Sequence, residues 1–403
     1  MKTPSEQPGG VFVFPGTTPA GCRSPMTSPA SRTELLRLTQ PEWTERLGSS
    51  DRARALARWL FSDEARALLT PSLDLDAETT TPIELAIPER IDGVSHRVLD
   101  PLRASLALTV PRCRARHVSD DGTIKYALCV GGDASIESVL IPTRGRSTLC
   151  VSSQIGCTRR CAFCATARLG FCRNLRAEEI VAQFWRARSD APTASPLRNV
   201  VFMGMGEPLD NLDEVLRAID VLTQQPEPQL SARNITVSTS GILPGMARLL
   251  SESRVNLALS LNATTDECRR ALMPQTEAWP MTDLLALLRN DARMNPGRDV
   301  FVEMVLFDGI NDSEDDAHRL VALLYGVNAR VNLIAHNAFD GSPFRPTSEA
   351  RLRRFKQIVL GAGIRCLTRV PRGQEISAAC GQLALRHQHR PRNPDQNGAP
   401  PLP

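Results

Sequence analysis

Cysteine spacing is the feature of this 403-residue chain that points most directly to chemistry. Five of its eleven cysteines fall between positions 150 and 172, and Cys157, Cys161 and Cys164 among them follow the spacing C-x3-C-x2-C. Three thiolates on one short loop can hold one face of a cubane iron–sulfur cluster, and the incomplete ligand set leaves one iron open. The spacing therefore predicts a cluster whose open iron binds a ligand that is not protein.

A closed zinc site is the alternative for the same loop, with Cys172 as the fourth ligand. Four-cysteine zinc sites are common in cytosolic proteins. Such sites usually pair two short cysteine knuckles, however, whereas this chain has one continuous loop. We therefore favour the cluster over zinc.

The composition is that of a soluble globular protein. A hydrophobic content of 42% can fill the core of one large domain and a smaller one. No stretch approaches the length of a membrane-spanning helix, and the N-terminus M-K-T-P-S-E-Q-P-G-G lacks the apolar core of a signal peptide. Many cysteines without an export signal indicate a reducing compartment. We therefore expect a cytoplasmic protein that uses its cysteines for metal or redox chemistry.

Positive charge is concentrated around the cysteine loop, although the formal net charge of the chain is only +4. No acidic residue occurs from position 150 to position 177, where five arginines lie: Arg159, Arg160, Arg168, Arg173 and Arg176. One interpretation is a local positive field that attracts a polyanion. The other is a scattered set of solvated arginines. The arginines alone leave both interpretations open.

Shifts in composition and periodicity divide the chain into five regions. Residues 1–33 and 387–403 have no apolar face to bury, and we expect a disordered extension and a disordered tail. Helical spacing of apolar residues predicts a helical accessory domain over 34–105. Alternation between the turn signals D-D-G and G-G-D predicts a short linking β-meander over 106–149, before a core domain over 150–386.

The core domain alternates strands and helices. Such repetition requires a parallel sheet covered by helices, either an open doubly wound sheet or a barrel. The predicted strands are Thr148–Val151, Asn199–Met203, Asn234–Ser238, Val255–Leu261, Asp299–Phe307, Arg330–Ala335 and Ile364–Arg369. The predicted helices include Asn211–Gln224, Pro244–Glu252, Met281–Met294, Ser313–Tyr325 and Ser348–Leu360.

Small and polar residues occur where several of these strands end. In the motif G-M-G-E-P-L, two glycines let a backbone approach a ligand closely, and Glu207 offers a carboxylate to a ligand ammonium group. Ser238 in T-V-S-T-S-G and Ser260 in L-S-L-N-A also lie at strand ends, and such groups suit ribose or carboxylate recognition. The glycine motif alone is equally compatible with an ordinary turn between a strand and a helix.

The run C-V-S-S-Q-I-G-C-x3-C-x-F-C-A-T from Cys150 resembles the RlmN/Cfr family of radical S-adenosylmethionine (SAM) RNA adenosine methyltransferases. G-M-G-E-P and the later run R-G-Q-E-I-S-A-A-C-G-Q-L also resemble motifs of that family, and the resemblance covers roughly residues 35–385. It implies an α/β fold, a partial (β/α)6 radical SAM barrel with a small N-terminal helical accessory domain and a short β-meander. It also implies that the site lies at the carboxyl ends of the strands.

The resemblance implies roles for the cofactor-binding residues. Cys157, Cys161 and Cys164 would hold a 4Fe–4S cluster whose fourth iron chelates SAM. The residues implied around SAM are Gly206, Glu207, Ser238, Ser260, Leu261, Asn262 and Asn337. The chain departs from the family where Asn262 replaces a usual His and where H-N-A-F replaces a W-N-P-F-like run, although both substitutions keep hydrogen-bonding capacity.

The catalytic residues are likewise implied by the resemblance. C2 and C8 of adenine have no lone pair that could attack the methyl group of SAM, so a radical route is required. Cys380 would first take a methyl group from one SAM, with its thiolate as the nucleophile. A 5′-deoxyadenosyl radical from a second SAM would activate that methyl group for addition to adenine, and Cys150 would then attack Cys380 to release the product. Glu137 or Cys150 would remove the ring proton, and the sequence does not choose between them.

We therefore expect methylation of an adenosine ring carbon, C2 in preference to C8, in ribosomal RNA, transfer RNA or both. The expected partners of this monomer are RNA and a cellular reductant for the cluster and for the Cys150–Cys380 disulfide. We interpret five other cysteines as structural: Cys22, Cys113, Cys129, Cys268 and Cys366. Two rival functions stay open, namely a different radical SAM reaction on the same barrel and a zinc-stabilised RNA-binding module without catalysis.

Overall fold

The computed structural model of the chain describes residues 32–69, 81–132, 134–224, 230–295, 297–339 and 341–383. The expected disordered tail and all but the last two residues of the expected N-terminal extension lie outside the described residues. Within the described ranges, no helix is both long and apolar enough to cross a membrane.

Strands and helices alternate along most of the described chain. The strands are β1 (Thr33–Glu34), β2 (Ile83–Leu85), β3 (Leu106–Val110), β4 (Arg112–Val118), β5 (Ile124–Gly131), β6 (Ala134–Thr143), β7 (Arg146–Cys150), β8 (Gln154–Gly156), β9 (Phe171–Asn174), β10 (Leu197–Phe202), β11 (Ile235–Thr239), β12 (Asn256–Ser260), β13 (Val300–Leu306), β14 (Ala329–Ala335) and β15 (Arg365–Thr368). The α-helices are α1 (Gln40–Leu47), α2 (Ser50–Leu60), α3 (Asp63–Ala67), α4 (His96–Ser105), α5 (Ala177–Ala187), α6 (Leu212–Gln224), α7 (Leu243–Glu252), α8 (Asp266–Leu272), α9 (Met281–Met294), α10 (Glu314–Leu323) and α11 (Glu349–Gly361).

Ten of the described strands form one sheet in the order β15-β14-β13-β12-β11-β10-β7-β6-β5-β4. The neighbours from β7 through β15 run parallel, because an intervening segment returns the chain to the same edge before each new strand. The predicted fold class, an α/β partial barrel, is confirmed. Strand β7 is the first barrel strand, and Cys150 is its last residue.

The strands and helices of the barrel lie close to their predicted positions, since their apolar periodicity is strong. Helix α9 spans the predicted residues Met281–Met294, and Leu284, Leu285 and Leu288 on one of its faces are buried. Helix α8 is additional to the prediction. It spans seven residues and buries two side chains, which is too short a pattern to stand out in the sequence.

The antiparallel strands β4, β5 and β6 extend the barrel sheet from β7. In this arrangement Val139 on β6 lies opposite Cys150 on β7. Glu137 precedes Val139 by two residues, so it shares the face of β6 that lies on the Cys150 side. The expected meander thus continues the sheet that carries the site.

The N-terminal segment combines helices α1 to α4 with a three-stranded sheet in the order β1-β3-β2. The sequence predicted helices here, because strands of two to five residues are too short to show alternation. The domain boundaries themselves stay a prediction. Helix α5 links this segment to the barrel.

Trp185 on α5 connects the N-terminal segment to the barrel. Its side chain is 1% exposed, and its indole Nε1 donates a hydrogen bond to the Leu60 carbonyl at 2.6 Å. On the same helix, the Gln183 side chain accepts a hydrogen bond from the Ser152 amide at 2.8 Å, just after β7. Helix α5 therefore supports the chain next to Cys150 while it anchors the N-terminal segment.

We expect Trp185→Phe to destabilise the fold through the loss of this hydrogen bond. The ring stays buried, but the Leu60 carbonyl loses its donor, which costs about 1–3 kcal/mol. Trp59→Phe is the matched control, because the buried Trp59 Nε1 has no partner among the described residues. The free energy of unfolding, measured in denaturant, should fall at least about 1 kcal/mol further for Trp185→Phe. Equal losses in the two variants would contradict the assigned role of the bond.

Candidate active site

A cavity of about 180 Å³ opens at the carboxyl ends of the parallel strands, beside the cysteine loop. This edge is where sheets of this class bind their ligands. Most predicted site residues line the cavity: Cys157, Cys161, Cys164, Gly206, Glu207, Ser238, Ser260, Asn262, Asn337 and Cys380. The fold thus brings together residues that are widely separated in the sequence.

Backbone hydrogen bonds hold the cysteine loop in shape. At its base, β8 pairs with β9, and the Cys157 amide donates to the Gly170 carbonyl at 3.0 Å. Glycine is required at the crossing, because a Cβ on Gly156 would lie 1.8 Å from the Gly170 carbonyl oxygen. Near its tip, the Ala162 amide donates to the Leu272 carbonyl at the end of α8, at 2.9 Å. The loop is therefore anchored at both ends.

The loop cysteines are crowded and partly buried. Burial raises the pKa of Cys157 and of Cys161, and the charges of neighbouring cysteines raise both further. Thiolates therefore need compensating positive charge here, which a cationic iron centre supplies as it displaces the protons. In the part of the chain that the structure describes, no three His, Cys, Asp or Glu side chains group around a single-ion site. An iron–sulfur cubane does not need three side chains around one ion, because each thiolate would bind a different iron. The cysteine loop therefore fits a cubane cluster.

Glu207 is the buried acid of the cavity wall. Burial raises its pKa, whereas the hydrogen bonds that it accepts oppose the rise. The Ser240 amide donates to Oε2 at 2.8 Å, and the Leu209 amide donates to Oε1 at 3.1 Å. A carboxylate fixed in this way complements a ligand ammonium group.

The glycines of the G-M-G-E-P motif make room for protein. A Cβ on Gly204 would lie 2.7 Å from the Val151 carbonyl oxygen, and one on Gly206 would lie 2.6 Å from the Gln154 Cβ. The Glu207 amide also donates to Gln154 Oε1 at 2.9 Å. We expected these glycines to let the backbone approach a ligand. They instead let it approach the chain after β7, and this contact places Glu207 against the cysteine loop.

Asn262 and the two serines form the opposite wall. The Oγ atoms of Ser238 and Ser260 lie 3.4 Å apart, within a weak hydrogen bond. Asn262 has a left-handed φ of 56°, a conformation that Asn tolerates better than most residues. Its Oδ1 accepts from the Val305 amide at 2.9 Å, and its Nδ2 lies 3.5 Å from Met273 Sδ. The residue that replaces the usual His is therefore held by the protein itself.

Three predicted site residues are absent from the lining of this cavity, namely Leu261, Glu137 and Cys150. Leu261 is fully buried in the core, and its amide donates to the Glu303 carbonyl at 3.1 Å. Glu137 is fully buried on β6 and forms an ion pair with the buried Lys125 at 3.2 Å. The Lys125 ammonium also donates to the Ser377 carbonyl at 3.3 Å, in the loop that carries Cys380. Glu137 is thus linked through a lysine to the loop that carries Cys380.

Cys150 and Cys380 line a second cavity of about 340 Å³. Cys380 lines the first cavity as well. Both cysteines are free thiols, so the disulfide implied by the resemblance is not formed in this structure. Burial, reinforced by the charge of Cys380, raises the pKa of Cys150 to about 12 and keeps it a neutral thiol near pH 7. Cys380 is exposed as a residue, but shielding of its thiol from water raises its pKa, and the positive charge of Arg369 opposes that rise.

Hydrogen bonds fasten the Cys380 loop to the cysteine loop. The Ala165 amide donates to the Gly381 carbonyl at 2.8 Å, and the Thr166 hydroxyl donates to the Leu383 carbonyl at 2.7 Å. The Asn337 side chain donates to the Cys380 carbonyl at 3.1 Å. The backbone on both sides of Cys380 is therefore positioned over the first cavity.

Glu303 and Arg369 line the first cavity, although the sequence did not single them out. Glu303 Oε1 accepts from the Asn332 side chain at 2.8 Å, and Oε2 lies 3.7 Å from Arg369 Nη1. The charges of Cys150 and Cys380 both act on Arg369. A lone acid in the apolar strand V-F-V-E-M-V-L was the available signal, because a buried charge needs a partner.

Three of the five arginines near the cysteine loop are neutralised by carboxylates. Arg159 pairs with Asp210, Arg173 pairs with Glu179, and Arg176 pairs with Glu178. Arg168 stacks 4.7 Å from the Phe339 ring. Arg160 is exposed and forms no ion pair with a described residue. The sequence overestimated the local positive field, because the paired acids lie outside the run between 150 and 177.

His336 occupies the place of the tryptophan in the family's W-N-P-F-like run. Its ring centroid lies 5.1 Å from that of Phe307, and its Nε2 lies 2.9 Å from Ser342 Oγ. Burial lowers its pKa to about 4, so the ring is neutral at physiological pH. The histidine therefore acts as an aromatic wall residue of the first cavity.

Comparisons with known proteins agree with this geometry. The family model described as "Radical SAM superfamily" matches residues 151–321. The dual-specificity RNA methyltransferase RlmN of Syntrophobacter fumaroxidans is 42% identical over 86% of this chain and 95% of its own. The protein of the same name from Geobacter sulfurreducens is 41% identical over 82% of this chain and 85% of its own.

A solved structure gives the same result. The crystal structure of a radical SAM methyltransferase from Sphaerobacter thermophilus has a TM-score of 0.75 and 39% sequence identity, and it covers 87% of this chain and 99% of its own. Sequence identity at this level over nearly the whole length of these relatives leaves the family in no doubt. The chain therefore belongs to the RlmN family of methyltransferases within the radical SAM superfamily.

Proposed function

We propose that this enzyme methylates C2 of an adenosine in RNA, with Cys380 as the methyl carrier. The observation that carries the proposal is the position of Cys380, which lines the cavity beside the cluster cysteines and also the cavity of Cys150. A carrier must receive the methyl group at one place and deliver it at another. The name of the curated relatives, dual-specificity RNA methyltransferase, supports RNA as the substrate.

A 4Fe–4S cluster and SAM are the cofactors of the radical SAM superfamily, as the cysteine spacing predicted. The cluster supplies the electron for reductive cleavage of SAM. In our proposal, Cys157, Cys161 and Cys164 hold the cluster. Glu207 and Gly206 receive the methionine end of SAM, and the remaining wall is formed by Ser238, Ser260, Leu261, Asn262 and Asn337. Leu261 has its side chain in the core, so it contributes through its backbone.

Cys380 acts first. Its thiolate attacks the methyl carbon of SAM, a new S–C bond forms, and S-adenosylhomocysteine leaves with the electron pair of the broken bond. Arg369 favours the thiolate, because its positive charge opposes the effect of burial on the pKa of Cys380. Cys380 is then an S-methylcysteine that faces both cavities.

Cys150 acts last. After the methylene carbon has been joined to adenine, the Cys150 thiol gives up its proton and attacks the Cys380 sulfur, the S–C bond breaks, and the product carbon gains a proton. The disulfide that results needs a cellular reductant before the next turnover. Cys150 and Glu137 both remain candidates for removal of the ring proton: Cys150 lines the second cavity, whereas Glu137 shares its side of the sheet.

Ribosomal and transfer RNA are the targets that we propose, and the dual specificity in the relatives' name supports two. An RNA substrate and a disulfide that must be reduced support a cytoplasmic location, and we propose that the enzyme is a monomer. Another radical SAM reaction on this barrel becomes the better interpretation if Cys380 or Cys150 is dispensable.

We expect Cys157→Ala, Cys161→Ala and Cys164→Ala each to lose the cluster after reconstitution, because each change removes one of three iron ligands. The control is Cys172→Ala, on β9 beside the loop, which should keep it. Iron and sulfide content, with the visible absorbance of anaerobic protein, measures the outcome. Full iron in Cys161→Ala, or iron loss in Cys172→Ala, would show that the ligand set is different.

Substitution of the cysteine pair tests the proposed reaction. Cys380→Ala should lose all methylation, including its own, yet still cleave SAM slowly. Cys150→Ala should stop halfway and remain covalently joined to RNA through Cys380. A denaturing gel of each variant expressed in cells, with and without ribonuclease, separates these states. Normal turnover by Cys150→Ala, or RNA attached to Cys380→Ala, would reverse the assignment.

RNA affinity should fall steeply as salt rises, because phosphate contacts release counterions. Of the loop arginines, Arg160 is exposed, so Arg160→Ala should weaken binding of a transfer RNA several-fold and reduce the salt slope by about one. Arg353→Ala is a control on α11, where the arginine pairs with Glu349. Dissociation constants measured between about 50 and 300 mM salt give the salt slope of each variant. An unchanged slope in Arg160→Ala would remove this arginine from the RNA surface.

A further inference from the structure

Arg269 is a buried arginine whose role the proposed reaction does not explain. It lies on α8 and is 1% exposed. Its Nη2 donates to the Ser240 carbonyl, whereas its Nε and Nη1 have no hydrogen-bond partner among the described residues. Asp266, three residues earlier on the helix, accepts a hydrogen bond from the Met281 amide at 3.0 Å, and its charge acts on Arg269 although the two side chains form no ion pair. The guanidinium therefore lacks a carboxylate partner within the described chain.

Such an arrangement is costly for a protein. A buried cation without a paired anion loses its hydration, and each unmade hydrogen bond adds to the penalty. Burial lowers the pKa of Arg269 to about 10, so the side chain still carries its charge near pH 7. A buried guanidinium that stays charged and has unsatisfied donors needs a compensating negative group nearby.

The cysteine loop is the negative group that the geometry offers. Helix α8 ends at Leu272, whose carbonyl accepts the Ala162 amide at 2.9 Å, between Cys161 and Cys164. The next residue, Met273, lines the first cavity. Arg269 thus stands behind the side of the loop that carries Cys161.

Gly241 provides the space for this guanidinium. It has a φ of 100°, and a Cβ there would lie 2.8 Å from Arg269 Nη2 and 2.7 Å from Leu284 Cδ1. The final glycine of the motif T-V-S-T-S-G is therefore explained by the arginine that packs against it. Ser240, on the other side, contacts Glu207 through its amide and Arg269 through its carbonyl. The chain at Ser240 therefore holds the Glu207 carboxylate and the Arg269 guanidinium at fixed positions beside the cysteine loop.

We propose that Arg269 is a positioning residue that acts as the fixed cationic partner of the iron–sulfur cluster and raises its reduction potential. The inference rests on the proposed binding of the cluster by Cys157, Cys161 and Cys164. One electron makes the cluster more negative, and a positive charge in a poorly hydrated site stabilises the more negative form. Arg269 thereby makes the cluster easier to reduce by the cellular reductant.

A redox titration of the reconstituted holoprotein, followed by electron paramagnetic resonance, tests the proposal. Arg269→Gln removes the charge, and Arg269→Lys keeps a charge but loses the planar, fixed donors. Arg270→Gln is the matched control, because Arg270 is the next residue on α8, is exposed and pairs with Glu277. We expect the equilibrium constant for reduction to fall about tenfold in Arg269→Gln, which is about 59 mV toward negative potential. Arg269→Lys should shift less in the same direction, and Arg270→Gln should match the parent protein.

Iron content and thermal unfolding are recorded for every variant. A parent-like midpoint in Arg269→Gln with full iron content would overturn the proposal for Arg269 and leave the cluster ligands untouched. If Arg269→Gln does not assemble a cluster, Arg269→Met, which also removes the charge, decides in its place, and a parent-like midpoint there overturns the proposal. The proposed cluster ligands are tested separately: full iron content in the Cys161→Ala protein would show that the ligand assignment is wrong.

Discussion

A single backbone hydrogen bond, from the Ala165 amide to the Gly381 carbonyl at 2.8 Å, joins the two loops on which the site depends. Strand β15 is the edge of the sheet, and five strands lie between it and β7, so the sheet alone does not bring Cys380 near the cysteine loop. The chain after β15 crosses the mouth of the partial barrel, and this bond holds it there. Every proposed step depends on the crossing, because a methyl carrier must reach both cavities.

Buried charges determine what the thiols of this site can do. Water is largely excluded, so each charge acts strongly on its neighbours. Arg369 lies by the cysteine pair, with Glu303 at 3.7 Å as its counter-ion. Arg269 lies behind the cysteine loop, where its Nε and Nη1 have no hydrogen-bond partner among the described residues. In our proposal the two arginines serve different centres, one the methyl-carrying thiol and the other the cluster.

The departures from the family pattern keep the shape of the cavity wall. Asn262 adopts the left-handed conformation that its position requires, and it bonds the Val305 amide at 2.9 Å. His336 keeps an aromatic ring against Phe307, and burial keeps that ring neutral because it lowers the histidine pKa. Both side chains are therefore explained by packing and hydrogen bonding within the protein.

The sequence by itself determined the parallel α/β fold, the cysteine loop and most of the cavity lining, because regular apolar periodicity and short motifs are local properties of the chain. It placed Glu207 and Asn337 at the cavity through their motifs. Only the tertiary structure decided that Leu261 faces the core, that Glu137 is held by Lys125, and that Asp210 and Glu179 neutralise nearby arginines. Only the tertiary structure decided the surroundings of Arg269 and Arg369 as well. The environment of a buried charge is set by residues that are distant in sequence, and no local sequence pattern records them.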